Sequence, residues 1–399
     1  MPHIERGTAE FRRVNLALLA AGFATFALLY AVQPLLPVFS AAFGVTEAAS
    51  SLSLSLTTGV LAVALLFASA LSEVLGRRPV MLAALFAASL LTLASAFASS
   101  WHALLAVRAL EGLAFSGLPA VAMAYVAEEV DPRSAGHAMG LYISGGAFGG
   151  MAGRVIAGLI SDVASWRAAL AAVGAIGLLS ALAFTRLLPR SRNFTPRPLR
   201  LQSLLNGFAR NLRDPALRRL FVLGFALMGS FVTAYNYFGY RLLAAPFHLR
   251  QATVGLVSML YLAGIVSSAV VGRLGDRYGR ARLLTPAIAL MLLGALLTVP
   301  NELVSILLGL GLLTAAFFGA HALASAAVAR QARVAPAQAS SLYLFAYYMG
   351  SSLAGSAGGI ACRRLGWPGV VMLIGLLLTA ALGVAWPARR SAAPDGGGR

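Results

Sequence analysis

The sequence predicts an all-α membrane protein of twelve transmembrane helices, arranged as two pseudo-symmetric six-helix bundles. Three observations carry this prediction. The chain is 59% apolar and only 11% charged, unlike a soluble globular domain. Its apolar runs recur at about twenty residues, the length that crosses a bilayer core. A polar loop between two such runs, Gly272-Arg273-Leu274-Gly275-Asp276-Arg277-Tyr278-Gly279-Arg280, has an earlier copy in Ser69–Arg78, about two hundred residues upstream.

Taken in order, the spans of the first set lie near 14–37, 52–71, 80–98, 103–126, 134–161 and 166–188. Those of the second lie near 219–240, 254–272, 283–299, 303–328, 338–361 and 367–387. The first run follows Arg12-Arg13 and is too long for a signal-peptide core, so it reads as a retained span. With the N-terminus inside, 24 arginines fall on the cytoplasmic side and five (Arg167, Arg241, Arg250, Arg363, Arg364) outside. That bias fixes the orientation, with both termini cytoplasmic. The expected organisation is a bundle over 1–188, a basic linker over 189–218, a second bundle over 219–388 and a tail over 389–399. The linker region from Arg186 to Arg219 holds nine arginines with Pro189, Pro196, Pro198 and Pro215. It reads as an anchor to anionic headgroups, with a short interfacial helix over 201–212.

In each polar loop a carboxylate (Glu73, Asp276) stands three residues before a Gly-Arg pair, Gly76-Arg77 or Gly279-Arg280. The glycine permits the φ > 0 turn between two helices. The carboxylate can sit near the next helix's N-terminus, where peptide dipoles favour negative charge. Arg78 and Arg277 add cationic anchors, and Gly272 opens the second copy. The halves repeat elsewhere too: Phe26-x3-Tyr30 with Phe231-x3-Tyr235, Leu141-Tyr142 with Leu342-Tyr343, Gly149 with Gly350, and Trp166 with Trp367. Parallel repeats of six spans with a midplane substrate site are a known transporter plan.

With these motifs placed, the sequence resembles the major facilitator superfamily over nearly its whole length. Gly272–Arg280 fits the signature between the family's eighth and ninth helices. The first copy departs from it with Ser69 for the leading glycine, Glu73 for aspartate and Val74 for arginine. Arg108-Ala109-Leu110-Glu111-Gly112 resembles the fourth-helix motif of proton-coupled members, which usually carries Gln before the Gly. Gly145-x3-Gly149-Gly150-x2-Gly153-Arg154 resembles the fifth-helix motif of drug/proton antiporters, with Gly150 for the proline and Arg154 for the last glycine. Together with Trp166-Arg167 and Tyr235-Asn236-Tyr237, this is similar to the bacterial acriflavine-sensitivity branch. The resemblance implies efflux of small amphipathic compounds across the bacterial inner membrane.

Two arginines, Arg108 and Arg154, and Glu111 fall inside spans, at similar depth in the outer third. Charges there are costly and face partners or a wet cavity. One Glu between two Arg can exchange a proton as its surroundings change, which makes Glu111 the expected proton carrier and Arg108 its modulator. The alternative is a static ion pair fastening spans four and five. Span one lacks the acid of many drug/proton antiporters and offers Tyr30 and Gln33. His321 is a second coupling candidate, because imidazole titrates near neutrality. Tyr30, Gln33, Tyr142, Tyr235, Asn236, Tyr240, Tyr343 and Tyr347 are candidates for lining the substrate path, where aromatic faces attract an organic cation. Interfacial tyrosine belts are the competing explanation. The Glu73/Arg77 and Asp276/Arg280 loops are expected to latch the cytoplasmic side.

Other classes find less support. All 31 basic residues are Arg, so there is neither a P-loop lysine nor a Schiff-base lysine. A single Cys362 excludes an internal disulfide and a multi-thiolate metal site. The +18 charge is scattered over loops rather than gathered into a nucleic-acid stripe. No enzyme activity, cofactor, metal or nucleic acid is expected. The expected partners are a small-molecule substrate, the proton and membrane lipid, and the expected state is a monomer. A proton-linked importer or facilitator of a sugar or other nutrient is the alternative on the same scaffold.

Overall fold

The computed structural model describes residues 3–196 and 201–391, with side chains through Ala385. Pro198 of the basic linker and the tail beyond Ser391 lie outside the described residues. Two compact units form: Met1–Leu201 with His248–Met259, and Gln202–Phe247 with Leu260–Arg399. The fold is all-α, as apolar runs of bilayer-crossing length lead one to expect. Among the described residues, eleven helical stretches are long and apolar enough to cross a membrane. One of them, Pro336–Ala385, has 50 residues and would measure about 75 Å if straight, far more than a bilayer core. It turns at Gly366, φ 63°, and thus supplies two crossings.

The first unit contains α1 (Ala9–Tyr30), α2 (Leu36–Phe43), α3 (Glu47–Leu75), α4 (Arg77–Ser95), α5 (Trp101–Phe115), α6 (Pro119–Glu129), α7 (Pro132–Val163), α8 (Trp166–Leu187) and α11 (Gln251–Leu256). Thr8, Thr46, Ser100, Asp131 and Ser165 cap helix starts with side-chain oxygens, each taking an amide that the helix cannot satisfy. α7 lies against α1. A Cβ on Gly149 would strike the Phe23 carbonyl, so only glycine allows the two backbones to meet.

The second unit contains α9 (Leu201–Arg213), α10 (Pro215–Leu243), α12 (Tyr261–Tyr278), α13 (Arg280–Leu297), α14 (Leu303–Gln331) and α15 (Pro336–Ser391). α10 packs on α15, and a Cβ on Gly350 would strike the Phe225 carbonyl. The glycine seam of the first unit therefore recurs about two hundred residues later. The two polar loops also match: Gly76 and Gly279 turn at φ 93° and 89°, as expected of the glycines that reverse the chain there.

Three spans are less regular than the sequence suggests. Span one breaks between Tyr30 and Leu36, and span four between Phe115 and Pro119. Span eight passes through a 3-10 turn, Val257–Leu260, between α11 and α12. The linker's start is also tied to the protein. The Glu129 carboxylate accepts the amides of Arg192 and Asn193 at 2.8 and 3.0 Å, and Arg192 pairs with Glu10 at 3.0 Å. Ile4 of the N-terminal arm bonds the backbone of Glu129 and Asp131. The N-terminal arm and the linker's start thus meet at one end of the first unit.

Candidate functional site

The most deeply buried charges are Arg108 and Glu111 on α5, both fully inaccessible and joined as an ion pair. Their i,i+3 spacing puts them on one helix face. Each guanidinium nitrogen donates to a different helix: Nη1 to Glu111, Nε to the Ser53 carbonyl at 2.8 Å and Nη2 to the Leu29 carbonyl at 3.0 Å. Ser95 Oγ donates to the other Glu111 oxygen at 3.1 Å, and Thr57 Oγ1 to the Arg108 carbonyl at 2.8 Å. A buried ion pair is tolerated only when the remaining donors and acceptors are met in this way.

The Leu29 carbonyl is available because of Pro34. Proline has no N–H to give the Tyr30 carbonyl, and its ring clashes one turn back. The Gln33 amide bonds Tyr30 instead, at 3.0 Å, leaving Leu29 to Arg108. The same break turns the Gln33 side chain toward α7. There Arg154 Nε donates to Gln33 Oε1 at 2.6 Å, Nη1 donates to the Gly150 carbonyl at 2.6 Å, and the guanidinium carbon lies 4.4 Å from the Tyr30 ring centre. Span one is thereby held by two buried guanidinium groups, Arg108 on the last turn before its break and Arg154 at Tyr30 and, within the break, Gln33. The sequence reading set Glu111 between both arginines. Among the described residues Glu111 is ion-paired with Arg108 alone, and Arg154 is occupied with span one. Tyr142, on α7, is buried.

The candidates of the second unit gather differently. Tyr235, Tyr343, Tyr347 and His321 join one aromatic cluster with Phe231, Tyr261, Phe317 and Phe318. His321 Nδ1 lies 2.9 Å from the Tyr343 hydroxyl, and its ring stacks on those of Phe317 and Tyr343 and is tilted against that of Tyr347. Among the described residues it has no carboxylate partner. Tyr235 bonds Thr314 through their hydroxyls at 2.8 Å. Asn236 is buried on the same helix, and half-buried Tyr240 stacks on Tyr237.

The polar loops separate in their chemistry. In the second copy Arg280 pairs with exposed Asp276 at 2.5 Å, and Arg277 lies over the Tyr278 ring. Gly272 has open space around it. In the first copy the partner of Arg77 is Glu128 on α6, at 2.8 Å, rather than Glu73. Arg77 also donates to Ser72 Oγ at 2.5 Å, and Arg78 to the Leu188 and Thr185 carbonyls. Ser53, Ser95, Glu128 and Thr314 were not singled out by the sequence. Only Thr314 left a signal there, since the repeat offset sets it opposite Glu111.

Twelve apolar crossings, a repeated six-span unit and a broken first span held by buried charge define a multi-pass membrane transporter. The family model described as Major Facilitator Superfamily matches residues 18–247 and 237–397, and the chain belongs to that superfamily of secondary transporters. It is 51% identical over 379 residues to the inner membrane transport protein YnfM of Escherichia coli, covering 95% of this chain and 91% of the relative. It is 46% identical to the MFS-type transporter YybF of Bacillus subtilis, covering 99% and 98%. Among solved structures, a bacterial homolog of the lysosomal transporter Spinster aligns with TM-score 0.76 at 14% identity, covering 96% and 98% of the two chains. The nucleoside transporter NupG aligns with TM-score 0.71 at 16% identity, covering 95% and 100%. At these identities the two structures share the fold.

Proposed function

We propose that this protein is a proton-coupled exporter of small amphipathic compounds, working by alternating access in the bacterial inner membrane. We further place it in the acriflavine-sensitivity branch. The observation that carries the reading is the sealed Arg108–Glu111 pair, whose guanidinium also holds span one at its break. Protonation of Glu111 removes the counter-charge of Arg108 and leaves the guanidinium on the Ser53 and Leu29 carbonyls alone. The pull on Leu29 then changes beside Tyr30 and Gln33, which hold Arg154. In this way a proton on α5 is felt at the candidate substrate side chains of span one. The Tyr235, Tyr343 and Tyr347 rings supply aromatic faces suited to an organic cation.

Inverted membrane vesicles test the direction of transport. With the interior acidified, an exporter accumulates ethidium, an amphipathic aromatic cation, and loses the accumulation when a protonophore is added. Acidification that drives no ethidium uptake, together with sugar movement out of the vesicles, would favour the importer reading.

A further inference from the structure

We infer that the corner formed by α9, the start of α10 and the end of α14 is a binding surface for anionic phospholipid, built from six arginines without a side-chain partner among the described residues, beside an apolar stripe. α9 has three faces at the helical period of about 100° per residue. Leu204, Gly207, Phe208 and Asn211 are buried. Asn211 Nδ2 bonds the Ala335 carbonyl at 3.1 Å, and Gly207 lies against Gln338 and Ala335. That face is docked on the protein. Leu201, Leu205 and Leu212 share a second face with Ala209 and are 51%, 50% and 47% exposed. The third face is polar, with Gln202, Asn206, Arg210 and Arg213.

The charge gathers because Asp214 ties the elements together. Its carboxylate caps α10 through the Ala216 and Leu217 amides and accepts Gln331 Nε2 at 3.1 Å. The Gln331 hydrogen bond, with the two amides, holds that carboxyl below the usual range, so it stays ionised while directed at the helix start. Around it stand Arg210, Arg213, Arg218, Arg219, Arg330 and Arg333, all exposed. Among the described residues none of these six makes an ion pair or a side-chain hydrogen bond. At the corresponding end of the first unit Arg13, Arg77, Arg78 and Arg192 each hold a protein oxygen, while exposed Arg12, Arg133 and Arg190 make no side-chain bond among the described residues. Six free cations next to exposed leucines match a surface with phosphate outside and acyl chain beneath. This is the face on which the arginine bias of the sequence sets the cytoplasm.

The test follows thermal unfolding of the full-length protein in detergent, with added phosphatidylglycerol, phosphatidylcholine or soluble glycerol phosphate. Phosphatidylglycerol is expected to raise Tm more than phosphatidylcholine, and glycerol phosphate to leave it unchanged, because the leucine stripe needs acyl chains. Each arginine contributes about fivefold in lipid affinity. Replacing Arg210, Arg213, Arg330 and Arg333 by Gln should therefore abolish the lipid preference, and replacing them by Lys should keep it. A preference that survives the Gln variant, or an equal response to glycerol phosphate, would overturn the inference. Native mass spectrometry of the milder pairs Arg210→Gln/Arg213→Gln and Arg330→Gln/Arg333→Gln covers failure of the fourfold variant to fold. Each pair should retain less phosphatidylglycerol than wild type, and undiminished retention in both would count against the site. These readouts do not involve transport, so they stand or fall apart from the proposed function.

Discussion

Arg108 and Glu111 illustrate how a buried charge is kept in an apolar bundle. Removing one partner strands the other in a dry site, at a cost of about 3–5 kcal/mol, whereas removing both can be nearly neutral. Arg108→Leu and Glu111→Leu are each expected to lower Tm strongly, and the double variant to recover much of the loss while remaining inactive in transport. Additive losses, measured by thermal unfolding, would show that the two side chains do not act as a pair. The pair was legible in the sequence, because i,i+3 spacing sets it on one face. The partner of Arg77 was not: Glu128 lies on α6, some fifty residues along, and only packing of the helices brings it to 2.8 Å. A charge-assisted bond of this kind is worth about 1.5–3 kcal/mol. Glu128→Gln should therefore destabilise the protein as Arg77→Gln does, and Glu73→Gln should leave Tm near wild type. The reverse order would restore Glu73 as the loop's partner.

At the scale of elements, the breaks in spans one and four matter more than the helices. The length of the apolar run reads 14–37 as one span, since a window of twenty residues does not register a missing hydrogen bond. Pro34 was in plain view, and its physics forecasts a break one turn back. The consequence could not be foreseen, because the freed Leu29 carbonyl meets Arg108 only through tertiary packing. Pro34→Ala restores an amide that can close the helix onto Tyr30. Amide exchange over 31–35 should slow, and transport should fall without loss of folding. Unchanged transport with slowed exchange would remove the break from the mechanism. The 3-10 turn Val257–Leu260 left no comparable signal. It follows α11, whose neighbourhood is held to the break of span one and to α7 by Gln251 Nε2 on the Pro34 carbonyl and by Arg250 on Asp162 at 2.5 Å.

For the molecule as a whole, duplication explains the scaffold and divergence explains the chemistry. Gly76 and Gly279 turn alike, and Gly149 and Gly350 open the same close helix contact. These positions are set by backbone geometry, which any copy must satisfy, so they were readable twice over. The candidate site positions are not set by backbone geometry, and there the copies part. Where the first unit carries Glu111 beside Arg108, the second carries Thr314 bonded to Tyr235. Among the described residues buried charge belongs to one unit, and an aromatic cluster around His321 to the other. The repeat offset identifies such partners but says nothing of how they differ.

The central claim is that Glu111 couples the proton to solute movement, and purified protein in proteoliposomes tests it directly. Ethidium exchange in the absence of a pH gradient is compared with accumulation driven by an acidic interior, for wild type and Glu111→Gln. The account predicts that the variant retains exchange and no longer responds to the gradient. A variant that accumulates ethidium under the gradient as wild type does would contradict it.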